Sequence, residues 1–402
     1  MMGTRALLLL CTLCFASAFA AERTVVVPAG SAPPTGPYSP AIMAGGFLYV
    51  SGQGAAKADG SFPATTEQQV EQCLGTIRRI VEAAGLTMRH VVYAHLYLKD
   101  ITRYEEANRA WARVFPADPP ARAVLGVADL PTGTPIEITV VAYRDLASRR
   151  IITPRGYVST EPVSPAVLAG GRLYLSSMTG SGGTPAAQLE SASSRMSATL
   201  AAAGLDFRHL AFVNPYLTDG MPMEEMNRAY AAKFEFGNTP ARATIRVASL
   251  PGGASIAFTG VAAVNLAERR AVRPKNMPPS PTASPCVFAG DAYYCSAKAG
   301  FIPGPNNGIY AGTVETQMRQ TMRNLLDGLE EAGLDFSHVV ASNVYLDDVR
   351  EWAAMNKVYA EYFGKTPPSR TTVQQVAPVA HRAADARGRW PALEQMSIIA
   401  VK

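Results

Sequence analysis

The chain has 402 residues, a formal net charge of +5 and 48% hydrophobic residues, a composition ordinary for a globular protein. At roughly 100–200 residues per domain, that length accommodates two to four domains with cores of their own. The charge is small for the length, and the densest basic stretch, ERRAVRPK at Glu268–Lys275, contains an acid and reads as a solvated linker, not a nucleic-acid surface.

In chain order, the first element is a leader. Arg5 precedes the apolar run ALLLLCTLCFASAFA, which is too short to span a bilayer and ends in the small-x-small site Ala18-Phe19-Ala20. Residues 1–20 therefore read as a secretory signal peptide, with a periplasmic or secreted product that keeps no membrane segment. Cys11 and Cys14 each follow a leucine and make poor lipoprotein acceptors.

Alternating apolar residues around Gly45-Gly46 predict a β-hairpin with a two-residue primed turn. Val70, Cys73, Leu74, Ile77, Ile80 and Val81 then recur at helical spacing, with Gly85 as the C-terminal stop. HVVYAHLYLKD from His90 reads as a strand, and Tyr104, Ala107, Trp111 and Val114 mark a second amphipathic helix. Two strands flanking the turn DLPTGT close the unit as ββαβαββ, an α+β layer with helices on one face of a sheet.

The unit then recurs. SPAIMAGGFLYVSG from Ser39 returns as SPAVLAGGRLYLSS from Ser164 and SPCVFAGDAYYCSA from Ser284, and PARAVLGVADLPTG from Pro120 returns as PARATIRVASLPGG from Pro240. The expected division is residues 21–148, 149–270 and 271–402, with charged connectors between the copies. Each sheet keeps one partly apolar face, so three units can bury those faces around a pseudo-threefold axis. Of the cysteines after the leader, Cys73, Cys286 and Cys295, none has metal-ligand spacing, and the five histidines form no HxxxH or HxH pair. His90, His209 and His338 stand at loop-to-strand junctions, where a structural hydrogen bond is expected.

GPYSPA from Gly36, LYVSGQG from Leu48, Asn108, PPAR ending at Arg122 and LPTGTPIEI from Leu130 together resemble the RidA family of imine and enamine deaminases, also known as YjgF or UK114. The resemblance spans nearly all of the chain after the leader, as three consecutive copies. It implies a chorismate-mutase-like trimeric barrel with a ligand site between neighbouring units, and cofactor-free hydrolysis of small 2-imino acids to 2-oxo acids and ammonia. One chain would supply all three units, giving a monomer in place of a homotrimer.

A 2-imino acid offers a carboxylate, which a guanidinium grips through two parallel hydrogen bonds. Arg122, Arg242 and Arg370 suit that role. The imine carbon is already electrophilic, so one carboxylate that orients water and shuttles protons suffices, and Glu137 fits. By resemblance Tyr38 and Ser51 add hydroxyls and Asn108 helps hold the ligand, with Ser176, Ser296, Asn227 and Asn356 at the equivalent places. Asparagine is a poor mid-helix residue, which favours a functional reading of that position. The serines read equally well as ordinary strand residues.

The copies diverge where catalysis is decided. Tyr38 aligns with Val163 and Ala283, and Glu137 aligns with Ala257. In the third unit Gln395 takes the glutamate position; Glu394 reaches it only through a register slip that turns every side chain over. VAHRAADARGRWPA is also inserted there, before the last strand. Read as a hairpin, DLPTGT sets Glu137 across from Gly126, roughly 14 Å along the strand from Arg122. A working site then pairs Glu137 with the arginine of a neighbouring unit, Arg242 or Arg370 ahead of Arg122. Two readings stay open, an exported hydrolase with one intact site and a non-catalytic binder of small imino, oxo or other carboxylic acids. A nucleic-acid-directed activity lacks the aromatic-studded basic groove it needs.

The third hairpin, turning at Gly290-Asp291, places Cys286 opposite Cys295. Counting out from the turn puts them at a non-hydrogen-bonded pair, where Cα atoms approach to roughly 4.5 Å and a disulfide can close. An oxidising compartment favours it.

Overall fold

The computed structural model describes residues 22–275, 277–304, 308–376 and 383–402. The leader expected in residues 1–20, and residues 379–382 of the third-unit insertion, lie outside the described residues.

The first unit runs β1 (Thr24–Val26), β2 (Ala41–Ala44), β3 (Phe47–Gly54), α1 (Thr66–Ala83), β4 (Val91–Leu98), α2 (Tyr104–Val114), β5 (Ala121–Gly126) and β6 (Ile136–Tyr143). Gly45 and Gly46, at φ 56° and 78°, make the primed turn that matches the right-handed strand twist. Helix α1 opens on a Thr65/Gln68 capping box and ends before Gly85 at φ 74°. Its buried stripe includes Val70, Cys73, Leu74, Ile77, Ile80 and Val81, which pack onto the helix-side face of β6 at Ile136, Ile138 and Val140. His90 accepts the Thr87 backbone N–H at 3.0 Å, and His209 and His338 do the same for Asp206 and Asp335, so all three are capping residues.

The strand order is β1-β2-β3-β6-β4-β5, and it corrects the expected last hairpin. β5 follows a helical crossover and so lies parallel to β4, with Ala94 beside Arg122, while β6 returns antiparallel on the other side of β4, with Tyr97 beside Glu137. Arg122 and Glu137 are separated by a whole strand because a helix bridging two strands favours the parallel pairing. A second correction concerns the charged connectors. Arg150–Ile152 and Arg269–Val272 are edge strands, each pairing antiparallel with the outer strand of the next hairpin, so each sheet carries an edge strand that ββαβαββ does not include. The third sheet therefore starts at Arg269. That residue is 9% exposed, not solvated, and donates to Leu210 O at 2.8 Å and Asn238 Oδ1 at 2.6 Å in the second unit. Arg149 ties the second unit to Val91 O and Asp118 O of the first, and Arg23 ties the first to Val339 O and Thr366 O of the third.

The units thus interlock in cyclic order. The three large sheets are separate, and among the described residues none closes on itself. Their inner faces share one core containing Phe47, Tyr49, Tyr174, Phe212, Tyr294 and Val340, drawn from all three copies. At about 25 cal/mol per Å2, each such ring contributes on the order of 4–6 kcal/mol of burial before entropy is subtracted. Arg172, 2% exposed, lies 4.3 Å over the Phe47 ring and ion-pairs with the partly exposed Asp291, so hairpin tips of three units meet at one charge pair.

Candidate active site

Three clefts form where β5, or its counterpart, meets β3 of the next unit. The seam between them is built from the repeated serine. Ser51 is fully buried, donates to Ser39 O at 2.6 Å and accepts the Arg370 backbone N–H at 2.8 Å. Ser176 does the same for Ser164 and Arg122, and Ser296 for Ser284 and Arg242. These hydroxyl protons are committed to backbone carbonyls, so the serines fasten units together instead of presenting a free proton to a ligand. The seam also decides which arginine belongs to which cleft. Arg370 of the third unit opens toward Glu137 of the first, Arg122 toward the second unit, and Arg242 toward Gln395 of the third.

Each arginine lies on the helix-facing side of its strand, over an aromatic ring three residues past the repeated asparagine. The guanidinium carbons are 4.8 Å from the Trp111 ring, 5.2 Å from Tyr230 and 4.8 Å from Tyr359. These rings are the contacts that sequence reading missed, Trp111 having been placed only on a core stripe. The recurring Asn-x-x-aromatic spacing of NRAW, NRAY and NKVY was the available signal. Asn108 Oδ1 accepts from Arg122 Nη2 at 2.6 Å, and Asn227 Oδ1 from Arg242 Nη1 at 2.8 Å.

In the first cleft that latch is open. Arg370 is 4% exposed, held between the Tyr38 ring at 5.1 Å and Tyr359, yet its Nη1 has no hydrogen-bond partner, and neither has Asn356 Oδ1. Thr372 Oγ1, two residues along the same strand face, is buried and unpartnered as well. Buried polar atoms without partners are costly, and two of them, on Arg370 and Thr372, line one cavity and mark where a polar ligand belongs. Tyr38 reaches Thr35 Oγ1 at 3.1 Å on the cleft rim.

Glu137 lines the same cavity of about 330 Å3 as Tyr38, Arg370 and Thr372. Burial pushes its carboxyl up to about 8, against the opposing pull of the Arg370 guanidinium and a hydrogen bond from the Thr372 backbone N–H. Burial outweighs one nearby cation here because the carboxyl has given up its hydration. A group poised near neutrality can both accept and return a proton. The position owes its room to a β-bulge, the register of β3 on β6 shifting between Val50 and Gln53.

The other clefts lack the acid. Ala257 sits beside Tyr216 and Gln395 beside Tyr345, as Glu137 sits beside Tyr97, so Gln395 is in register. Its amide donates to Thr244 O at 3.1 Å and Gln375 Oε1 at 2.9 Å. Glu394 faces the opposite side, fully buried, and accepts from Thr321 on the helix Val314–Glu331 at 2.6 Å. Away from the clefts, Cys286 and Cys295 are disulfide-bonded, their Cα atoms 4.0 Å apart in the predicted register.

The fold of each unit and the arginine clefts between units define a class also reached by comparison. The Endoribonuclease L-PSP family model matches residues 29–144, 153–264 and 277–384. The chain belongs to that family, the RidA/YjgF group, as three consecutive copies. A RutC family protein of Pyrococcus horikoshii is 34% identical over 125 residues, covering 31% of this chain and 99% of its own. Another, from Saccharolobus solfataricus, is 37% identical over 113 residues, covering 28% of this chain and 90% of its own. Among solved structures, the YjgF gene product of E. coli is 30% identical with a TM-score of 0.29, covering 30% of this chain and 98% of its own.

Proposed function

We propose that the chain is an exported RidA-type hydrolase that converts small 2-imino acids to 2-oxo acids and ammonia at one cleft, between its first and third units. The carrying observation is Arg370, a buried guanidinium with an unpartnered Nη1, lining one small cavity with the raised carboxyl of Glu137. Arg370 takes the substrate carboxylate, and its two flanking rings fix the guanidinium plane. Ionised Glu137 removes a proton from water as the oxygen bonds to C2 of the imine and hands that proton to the imine nitrogen, giving a neutral tetrahedral aminol. The aminol collapses when Glu137 takes the proton of its hydroxyl and delivers it to nitrogen. Carbon–nitrogen cleavage then releases ammonia and leaves the 2-oxo acid, with one water consumed and no change of oxidation state. The cavity of about 330 Å3 suits a small acid better than the polynucleotide that the family description evokes.

The three sheets pack their inner faces about a pseudo-threefold axis, so that one chain takes the place of a trimer of separate chains. The cyclic arginine ties and the shared core support this. The alternative, a binder without turnover, draws on the second and third clefts, where the arginine remains and the acid does not. Ammonia release from freshly generated 2-iminopropanoate separates the two readings. Turnover that vanishes in Glu137→Gln is expected; no release above the buffer rate, with pyruvate still bound, leaves the binding reading.

A further inference from the structure

The second cleft is more than a disabled copy of the first. It encloses about 790 Å3, against about 330 Å3. Ala257 stands where Glu137 would be and Val124 where Thr372 would be, so the groups assigned to hydrolysis are gone. The carboxylate grip is retained. Arg122 is 3% exposed, Asn108 holds its Nη2, and its buried Nη1 has no partner. A buried guanidinium nitrogen left open in a lined cavity calls for an anionic oxygen.

This cleft also carries a carboxylate at a position where the first has only a glycine. Glu161 occupies the place of Gly36, and a Cβ at Gly36 would stand 3.0 Å from Arg370 Nη2. By that equivalence the Glu161 side chain leaves the backbone beside Arg122. Its Oε2 accepts the hydroxyl of Tyr104, and its charge opposes the lowering that burial imposes on Arg122. Farther along, Val163, Met178 and Pro251 provide an apolar wall, with Val158, 82% exposed, in the rim. Glu105, Arg155 and Arg195 line the cleft as well, but it is the Arg122–Glu161 pair beside the apolar wall that is complementary to one small-molecule class.

We propose that the second cleft binds, without turnover, an apolar α-amino acid as its zwitterion, with the carboxylate on Arg122, the ammonium on Glu161 and the side chain along Val163, Met178 and Pro251. A monocarboxylate leaves Glu161 facing it uncompensated, and an amine leaves Arg122 open. Only a molecule carrying both charges satisfies both.

The test is titration calorimetry on the full chain with L-phenylalanine, 3-phenylpropanoate and phenethylamine. Phenylalanine should bind at least tenfold more tightly than either analogue, and Arg122→Met should abolish that binding. Glu161 is exposed, so Glu161→Gln should fold, and it should cost phenylalanine at least tenfold while 3-phenylpropanoate binds no more weakly than before. Equal affinities for phenylalanine and 3-phenylpropanoate, an unchanged phenylalanine affinity in Glu161→Gln, or no heat at millimolar ligand would each overturn the proposal. Ammonia release from 2-iminopropanoate is measured separately, so failure of the hydrolase reading stays distinct from failure of this one.

Discussion

A Cβ on Gly52 would fall 1.9 Å from Oε1 of Glu137, so the glutamate occupies space that only a glycine leaves open. The other units carry Ser177 and Ala297 at this bulge position, and there the glutamate is Ala257 or Gln395. Gly52→Ala should therefore displace the carboxylate and reduce kcat/KM for imine hydrolysis by on the order of 100-fold, the contribution of one general base. Circular dichroism should still report a folded protein. In the reverse direction, Ala257→Glu alone should gain no second active cleft, whereas Ala257→Glu with Ser177→Gly makes room for the new side chain. A single Ala257→Glu variant with doubled turnover would contradict the steric account.

The seam assigns the partner of Glu137. Arg370→Met should abolish hydrolysis as fully as Glu137→Gln does, each by at least about 100-fold. Arg122→Met and Arg242→Met serve other clefts and should retain most turnover. Equal losses in all three arginine variants would mean that the clefts are equivalent.

The raised carboxyl gives a pH dependence with a definite sign. Glu137 must be ionised to accept a proton from water, so kcat/KM should rise with pH to an inflection at about 8. Stability should run the other way. Glu137 and Glu394 are both pushed up to about 8 by burial, so between about 4.5 and 8 the folded chain holds protons that the unfolded chain has released. Folding is then favoured at the acid end of the window and weakened toward pH 8, by on the order of 4 kcal/mol per fully buried carboxyl. Denaturant titrations at pH 5 and pH 8 should show this fall, and Glu137→Gln should remove about half of it, leaving the part due to Glu394. A wild-type midpoint that rises from pH 5 to pH 8 would contradict the buried, unpaired reading of these two carboxyls.

The disulfide makes a simpler prediction. Unfolding without reductant and alkylating should label Cys73, which is a buried free thiol, and leave Cys286 and Cys295 unlabelled. Replacing both by alanine should destabilise the chain by about 1–3 kcal/mol, since a short loop is already closed by its own turn. Gly328 packs directly over the bridge, a Cβ there falling 2.8 Å from Cys286 Sγ. Labelling of all three thiols would show the bridge open.

The sequence by itself determined the turn positions, helical stripes and strand alternation that depend on neighbours a few residues apart. Turn glycines set the hairpin registers that bring Cys286 to Cys295, the helical stripe from Val70 to Val81 lies buried, and period-2 counting keeps Gln395 in the glutamate place. Repetition across three copies exposed the units and their divergence. Only the tertiary structure decided that β4 separates Arg122 from Glu137, because strand order depends on which side a crossover helix returns a strand. It also turned two charged connectors into edge strands and committed the repeated serines to the seam, since a free sheet edge and an unpaired backbone group take their partners from another unit. The choice of Arg370 for Glu137 belongs to the same class. Local pattern marks all three arginines alike, and what distinguishes them is the cyclic order in which three similar faces pack, a property of the assembled core and not of any one segment.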